Sequence, residues 1–335
     1  MNNPRQLSLV DNGVLLIAEA GNGGSACQGE GEDAMCVGAS GSIGAVLLPQ
    51  AGENRDHLEL VKNLISGAGP DGSFAVGSDG VSQHNLRSKI LIQETWAPPD
   101  AFPAGVPGEQ AGQLLTARPF GTAEPFADIT KFETDNDPDG QGFDSDPYAV
   151  VARKHDALVA DAAGNDILRV DKHGNVSLFH VFPDVVSAAA PDGADFVPTS
   201  LALGPNGDVY VGGLVGEVPG EAQVVKLDGR TGDVEKTWSG FTTVTGVAVG
   251  HDGTLYVSQL FAPQANPVNP EIAGVLTKVS RDGTRHDLDV PFPAGVAVDK
   301  WGTVFVSAFS IAPAGGLPGT PPGVDTSGQV WRLRF

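Results

Sequence analysis

Residues 245–259 read TGVAVGHDGTLYVSQ: an alternating apolar run, the turn His251-Asp252-Gly253, and a second run through Leu255, Tyr256 and Val257. Period-two alternation, a glycine-centred turn and a second β-branched or aromatic run together predict a β-hairpin. The pattern recurs in residues 148–162 (YAVVARKHDALVADA), 199–213 (TSLALGPNGDVYVGG) and 294–308 (AGVAVDKWGTVFVSA). The matched positions Val159, Val209, Leu255 and Val304 lie 50, 46 and 49 residues apart. That is the spacing of propeller blades.

Working outward, residues 6–20 (QLSLVDNGVLLIAEA) repeat the pattern with Asn12-Gly13 at the turn, and residues 73–95 are a swollen copy. A third strand is expected at 44–48, 114–117, 167–170, 224–227 and 276–280, and a fourth at 176–182, 234–238 and 284–288 behind Gly- and Asp-bearing turns. The units fill the chain as one all-β domain. A six-bladed β-propeller of NHL/strictosidine-synthase-like type is predicted, with approximate blades at 6–66, 67–140, 141–190, 191–241, 242–290 and 291–335. Residues 329–335 provide a third strand for the last blade and the chain then stops. That blade is expected to be incomplete, unless a removed upstream segment once closed it.

Composition agrees. The chain has 335 residues, with 45 glycines, 25 prolines and 41% hydrophobic residues, which reads as many tight turns around a real core. A formal charge of −21 argues against nucleic acid and anionic lipid as partners, leaving a small molecule or another protein. No stretch approaches the roughly 18 apolar residues of a membrane span. Cys27 and Cys36 share one Gly- and acid-rich loop, where a local disulfide is expected; two free buried thiols are the alternative. A disulfide implies an extracellular or periplasmic location. Met1 to Arg5 are too short and polar for a signal peptide, so export is expected to have removed one.

Several motifs together, in order and along nearly the whole chain, resemble the ScyD/ScyE family of exported propeller-like proteins. They are Asn3-Pro4-Arg5, Ile17-Ala18-Glu19-Ala20-Gly21, the Cys27 to Cys36 loop, Asp144-Ser145-Asp146-Pro147-Tyr148 and the run from Val159 to Asp166. This chain has Ser145-Asp146-Pro147-Tyr148 where the family pattern reads Ser-Asn-Pro-Tyr, and Arg5-Gln6-Leu7 where it reads Arg-Gly-Leu. The resemblance implies the propeller fold and export. Some members are encoded with the genes for the sunscreen pigment scytonemin, which implies a late extracytoplasmic role on indole-phenol metabolites.

Residues just outside the inner strands of a propeller crowd the central funnel. Glu19 and Asp161 are therefore the candidate acid and base, and Asp146, Tyr148, Asn165, Thr199, Gln259 and Ser307 the candidate ligand-binding set. For Asp161, Asn165 and Glu19 the competing role is to satisfy backbone groups at strand ends. Residues 135–140, Asp-Asn-Asp-Pro-Asp-Gly, followed by Asp146 at the twelfth position, match a calcium loop and make Asp135, Asp137, Asp139 and Asp146 candidate ligands for Ca2+. Pro138 inside the loop, Asp in place of Glu at position twelve and no evident flanking helix favour a plain acidic loop equally.

Gly21-Asn22-Gly23-Gly24-Ser25-Ala26 fits a dinucleotide-binding turn in letters only, since the acidic stretch after it is neither helical nor phosphate-friendly. There is no G-x-S-x-G or H-E-x-x-H motif, and the seven histidines are scattered, with His84, His155 and His251 able to converge only through the fold. Pro-rich insertions at 97–112, 262–273 and 313–323 are expected to roof one face, with Phe102, Phe261 and Phe309 serving as a lid or packing on blade edges. Two functions follow. One is a binding protein that holds a small molecule or partner on the funnel face. The other is a lyase, cyclase or lactonase working with funnel carboxylates.

Overall fold

A computed structural model describes residues 1, 3–11, 13–21, 26–28, 35–37, 41–48, 60–66, 78–98, 108–119, 121–262, 274–311 and 327–335. They form six antiparallel blades. Blade 1 holds Pro4–Val10, Val14–Glu19, Ser42–Leu47 and Leu60–Ser66; blade 2 holds Ser78–Ser82, Ile90–Glu94, Gln113–Ala117 and Glu124–Asp128. Blade 3 holds Pro147–Ala152, Asp156–Asp161, Asp166–Asp171 and Val176–Val181; blade 4 holds Pro198–Leu203, Val209–Gly213, Ala222–Leu227 and Val234–Phe241. Blade 5 holds Val244–Val249, Leu255–Gln259, Val275–Val279 and Arg285–Asp289. Blade 6 has three strands among the described residues, Val296–Val298, Val304–Ala308 and Gln329–Leu333, as the sequence led us to expect.

First strands touch in ring order and the sixth touches the first, so the ring is closed around a central channel. The core lies between blades. Alternation along each second strand sends successive side chains to opposite neighbours: Leu15 and Ile17 pack toward blade 6, Leu16 and Ala18 toward blade 2. Likewise Leu158 and Ala160 pack toward blade 4 and Val159 toward blade 2. A strand buried on both faces must be apolar throughout, which is why these strands read as unbroken hydrophobic runs. Fourth strands lie at the rim, and Arg285–Asp289 is exposed along its whole length.

Closure uses no exchanged strand among the described residues. Instead the amide of Gly295 donates to the carbonyl of Arg5 at 3.1 Å, and Ser307 Oγ donates to the same carbonyl at 2.8 Å. The sequence did not foresee a hairpin inside blade 1 or a helix after blade 2. A small hairpin, Ala26–Gln28 with Met35–Val37, sits between the second and third strands of blade 1, with Cys27 directly opposite Cys36. A helix, α1 (Ile129–Asn136), follows blade 2, capped by Asp128, whose carboxylate accepts from the Lys131 amide at 2.9 Å.

Candidate functional site

The first strands of blades 1 to 5 each carry one extra residue near their start, at register shifts between Pro4 and Leu7, Ser78 and Gly80, Pro147 and Ala149, Pro198 and Ser200, and Val244 and Gly246. A bulge of this kind re-aims a side chain. Antiparallel pairing also brings the end of each second strand to the same face, as in Pro4 with Glu19, Ser78 with Glu94 and Pro147 with Asp161. That face is one mouth of the channel.

The bulge residues differ around the ring. In blades 4 and 5 they are Thr199 and Thr245, whose hydroxyls donate to the carbonyls of Val244 at 2.6 Å and Pro293 at 2.8 Å and so tie each blade to the next. In blades 1 to 3 they are Arg5, Asp79 and Tyr148, and these meet. Arg5 Nε lies 3.3 Å from Asp79 Oδ1, an ion pair whose angle falls short of a hydrogen bond, and the Tyr148 phenol lies within electrostatic reach of Arg5. Asp146 accepts from Thr95 Oγ1 and lies within electrostatic reach of Arg5.

Burial raises the Asp79 carboxyl to about 7, with Arg5 opposing the rise and Asp146 adding to it. Burial pushes the Tyr148 phenol up to about 12 and raises Asp146 above the ordinary aspartate range. Glu94, fully buried beside them, accepts from Ser78 Oγ at 2.7 Å through one oxygen while the other lacks a partner, and burial lifts its pKa well above normal. The mouth therefore combines one fixed cation, a phenol and carboxyls raised above their ordinary range, Asp79 to about 7.

Of the residues singled out from sequence, Tyr148 and Asp146 stand at this mouth. Asp161 is buried beside it, and its carboxylate accepts from the Asp146 amide at 2.6 Å, Ser145 Oγ at 2.7 Å and the Gly164 amide at 3.3 Å. Burial raises it to about 6 against those bonds. Glu19 is buried at the end of its strand, level with Pro4 and Ser42. The others spend their polar atoms on structure. Asn165, in the left-handed region at φ 52°, accepts from the Val197 amide at 3.0 Å, and Gln259 accepts from the Thr242 amide at 2.7 Å while donating to Thr277 Oγ1 at 2.8 Å. Thr199 and Ser307 bond backbone carbonyls of neighbouring blades.

The acidic loop is arranged differently from a helix-flanked calcium loop that uses Asp135 and Asp146. Asp135 belongs to α1 and pairs with Lys131 one turn earlier, Nζ to Oδ2 2.6 Å, while Asp146 is engaged at the mouth by Thr95. Helix α1 supplies the flanking helix the sequence reading lacked. It ends at Asp137, whose left-handed φ of 44° folds the chain back, so that Glu133, Asp137 and Asp139 bring carboxylate oxygens within 4.8 Å of one another. Glu133 had no signal in the twelve-residue pattern because it precedes it.

Arg5, Asp79 and Glu94 were also absent from the sequence-based set. Aligning Asp79-Gly80-Val81 with Tyr148-Ala149-Val150 and Thr245-Gly246-Val247 would have found Asp79, and the end of ILIQE in blade 2 matches Glu19 and Asp161. Below the mouth the channel narrows to a cavity of about 20 Å³ lined by Gln6, Tyr148, Thr199 and Thr245, room for roughly one water. On the opposite face His84 and His155 line one groove with Lys89, Lys154 and Lys172, and His251 is not among its residues. Phe309 is buried edge-on to Trp331, and Phe261 lies edge-on to Phe292. Phe102, most of each Pro-rich insertion, the glycines Gly23 and Gly24 and the Cys27 and Cys36 side chains lie outside the described residues.

No family model and no curated protein matches this chain. Solved structures do. A structural-genomics protein of unknown function from Bacteroides thetaiotaomicron aligns over 91% of this chain and 66% of its own with TM-score 0.53 and 12% identity. A streptogramin B lyase aligns over 91% and 90% with TM-score 0.49 and 14% identity, and a putative gluconolactonase over 72% and 73% with TM-score 0.43 and 14% identity. At such identities the likeness concerns the fold alone: this chain is a six-bladed β-propeller.

Proposed function

We propose that this chain is an exported propeller that binds a small polar molecule at the channel mouth formed by Arg5, Asp79, Asp146 and Tyr148. The observation that carries this reading is the convergence of bulge residues from three consecutive blades into one charged cluster, while the matching threonines across the ring are consumed by backbone. A charged cluster costs stability when buried, so its place at a channel opening argues for a ligand rather than for packing. The mouth offers a guanidinium, a phenol and carboxyls held above their ordinary range, so the ligand that fits is rich in hydrogen-bonding groups, a description that includes indole-phenol metabolites.

A second reading, proton transfer of the lyase or lactonase kind, rests on Asp79. A carboxyl held near 7 beside a guanidinium and a phenol is matched to acid-base work at neutral pH. Native mass spectrometry of protein purified from its natural host separates the two. A small molecule retained by the parent and lost from Asp79→Asn and Arg5→Met is expected; equal retention in both variants would place the ligand elsewhere. Release of an altered mass on incubation selects the catalytic reading. Export is supported by the register that sets Cys27 across from Cys36. Thiol titration of the denatured protein should then find no free cysteine.

A further inference from the structure

Outside the channel, a cluster of carboxylates among the described residues lies where α1 meets blade 3. Glu133 is fully buried and neither carboxylate oxygen has a hydrogen-bond partner; Asp166, at the start of the third strand of blade 3, is in the same condition. Asp166 feels the charge of Glu133, and both feel that of Asp139 and Asp161. Two buried carboxylates with four unpartnered oxygens, facing further carboxylates, are not explained by packing or by an ion pair, since no Lys or Arg among the described residues bridges to them.

Geometry supplies the alternative. Oxygens of Glu133, Asp137 and Asp139 all lie within 4.8 Å of one another, and two ligands on opposite sides of a calcium ion stand about 4.8 Å apart at the usual 2.3–2.6 Å bond length. The loop is also held in shape by its own bonds. The Gly142 amide donates to Asp137 Oδ1 at 3.1 Å and the Gln141 amide to Asp139 Oδ1 at 3.0 Å, and Asn165 Nδ2 reaches Asp139 Oδ2 at 3.4 Å from blade 3. Gly164 sits so close that a Cβ there would press on Glu133 Oε2 at 3.2 Å.

We propose that Glu133, Asp137 and Asp139, with Asp166 beside them, bind one divalent cation, calcium in preference to magnesium, and that this ion pins α1 of blade 2 against blade 3. An all-oxygen set with no histidine or cysteine excludes the ligand types that select zinc or copper. Several carboxylates drawn from a loop suit calcium better, because magnesium keeps most of its water and takes one or two carboxylates.

The test is thermal unfolding of the full chain, stripped with EDTA and then given roughly 1 mM calcium chloride or magnesium chloride, with native mass spectrometry to count bound metal. The parent protein should gain one calcium and several degrees in Tm, and magnesium should give much less. Glu133→Gln and Asp139→Asn should lose both responses, while Asp135→Asn, which alters only the exposed pair with Lys131, should keep them. In EDTA, Glu133→Gln should be at least as stable as the parent, because it removes a buried charge that has no partner; this keeps the test free of a folding defect. No bound calcium in the parent, an unchanged response in Glu133→Gln, loss of the response in Asp135→Asn, or an equal response to magnesium would overturn the assignment.

Discussion

Arg5 Nε stands 3.3 Å from Asp79 Oδ1, an ion pair between the first strands of two neighbouring blades, each residue being the extra one at its strand's bulge. Neither would reach the channel without the bulge, because regular alternation would carry the side chain into a blade interface. The pair is sheltered enough that burial outweighs the guanidinium, and Asp79 titrates near 7 rather than 3.8.

That shift fixes a direction for stability. Between roughly pH 4 and 7 the folded state holds a proton on Asp79 that the unfolded state has released, so stability conferred by this group is full below pH 4 and lost as pH rises through 7. A shift of about three units corresponds to an effect on the order of 4 kcal/mol. Urea unfolding at pH 5 and pH 8 should show a smaller difference for Asp79→Asn than for the parent. An identical difference would mean that Arg5 keeps Asp79 ionised throughout.

The blade count was legible because a strand buried on both faces has no choice but to be apolar, and Val159, Val209, Leu255 and Val304 mark that strand in four blades. The mouth was less legible. Asp161 and Glu19 were visible at the ends of clean repeats, but Asp79 lies in the swollen copy, and a bulge adds one residue without any composition of its own. Helix α1 was hidden for a different reason: ITKFETDN buries only Ile129 and Glu133, so it has no apolar stripe to reveal a period, and its signals are the caps Asp128 and Asp137.

Gln6 follows the bulge residue of the first strand, and its side chain fastens three blades. Its Nε2 donates to the Val150 carbonyl at 2.7 Å, and its Oε1 accepts from the Val81 and Val150 amides at 3.1 Å each. Gln6→Ala would leave three backbone groups unmatched, at a cost of about 2–4 kcal/mol in urea unfolding. A loss below about 0.5 kcal/mol would show that water replaces the amide fully.

Ring closure depends on Gly295. A Cβ there would run into the backbone of Arg5 and Leu7, which cannot move without opening the junction of blades 1 and 6. Gly295→Ala should cost about 3 kcal/mol. Gly283→Ala is the control: its φ of 89° is strained for alanine but the space around it is open, so about 1 kcal/mol is expected. Equal losses in calorimetry would mean that closure at Gly295 is loose.

Asp161 tests how the candidate residues divide between structure and chemistry. Its carboxylate already serves two amides and a hydroxyl, one of them the amide of Asp146, which positions a residue of the mouth. An asparagine can offer one accepting oxygen, so Asp161→Asn should lose about 1–3 kcal/mol of stability while ligand retention, measured well below the melting point, falls only as far as Asp146 is displaced. Asp79→Asn should do the reverse at pH 8, where the parent's carboxylate is ionised, abolishing retention with the fold intact. If Asp161→Asn instead kept its Tm and lost the ligand, the carboxylate would belong to the chemistry of the mouth, and the bonds it accepts would be the means of aiming it.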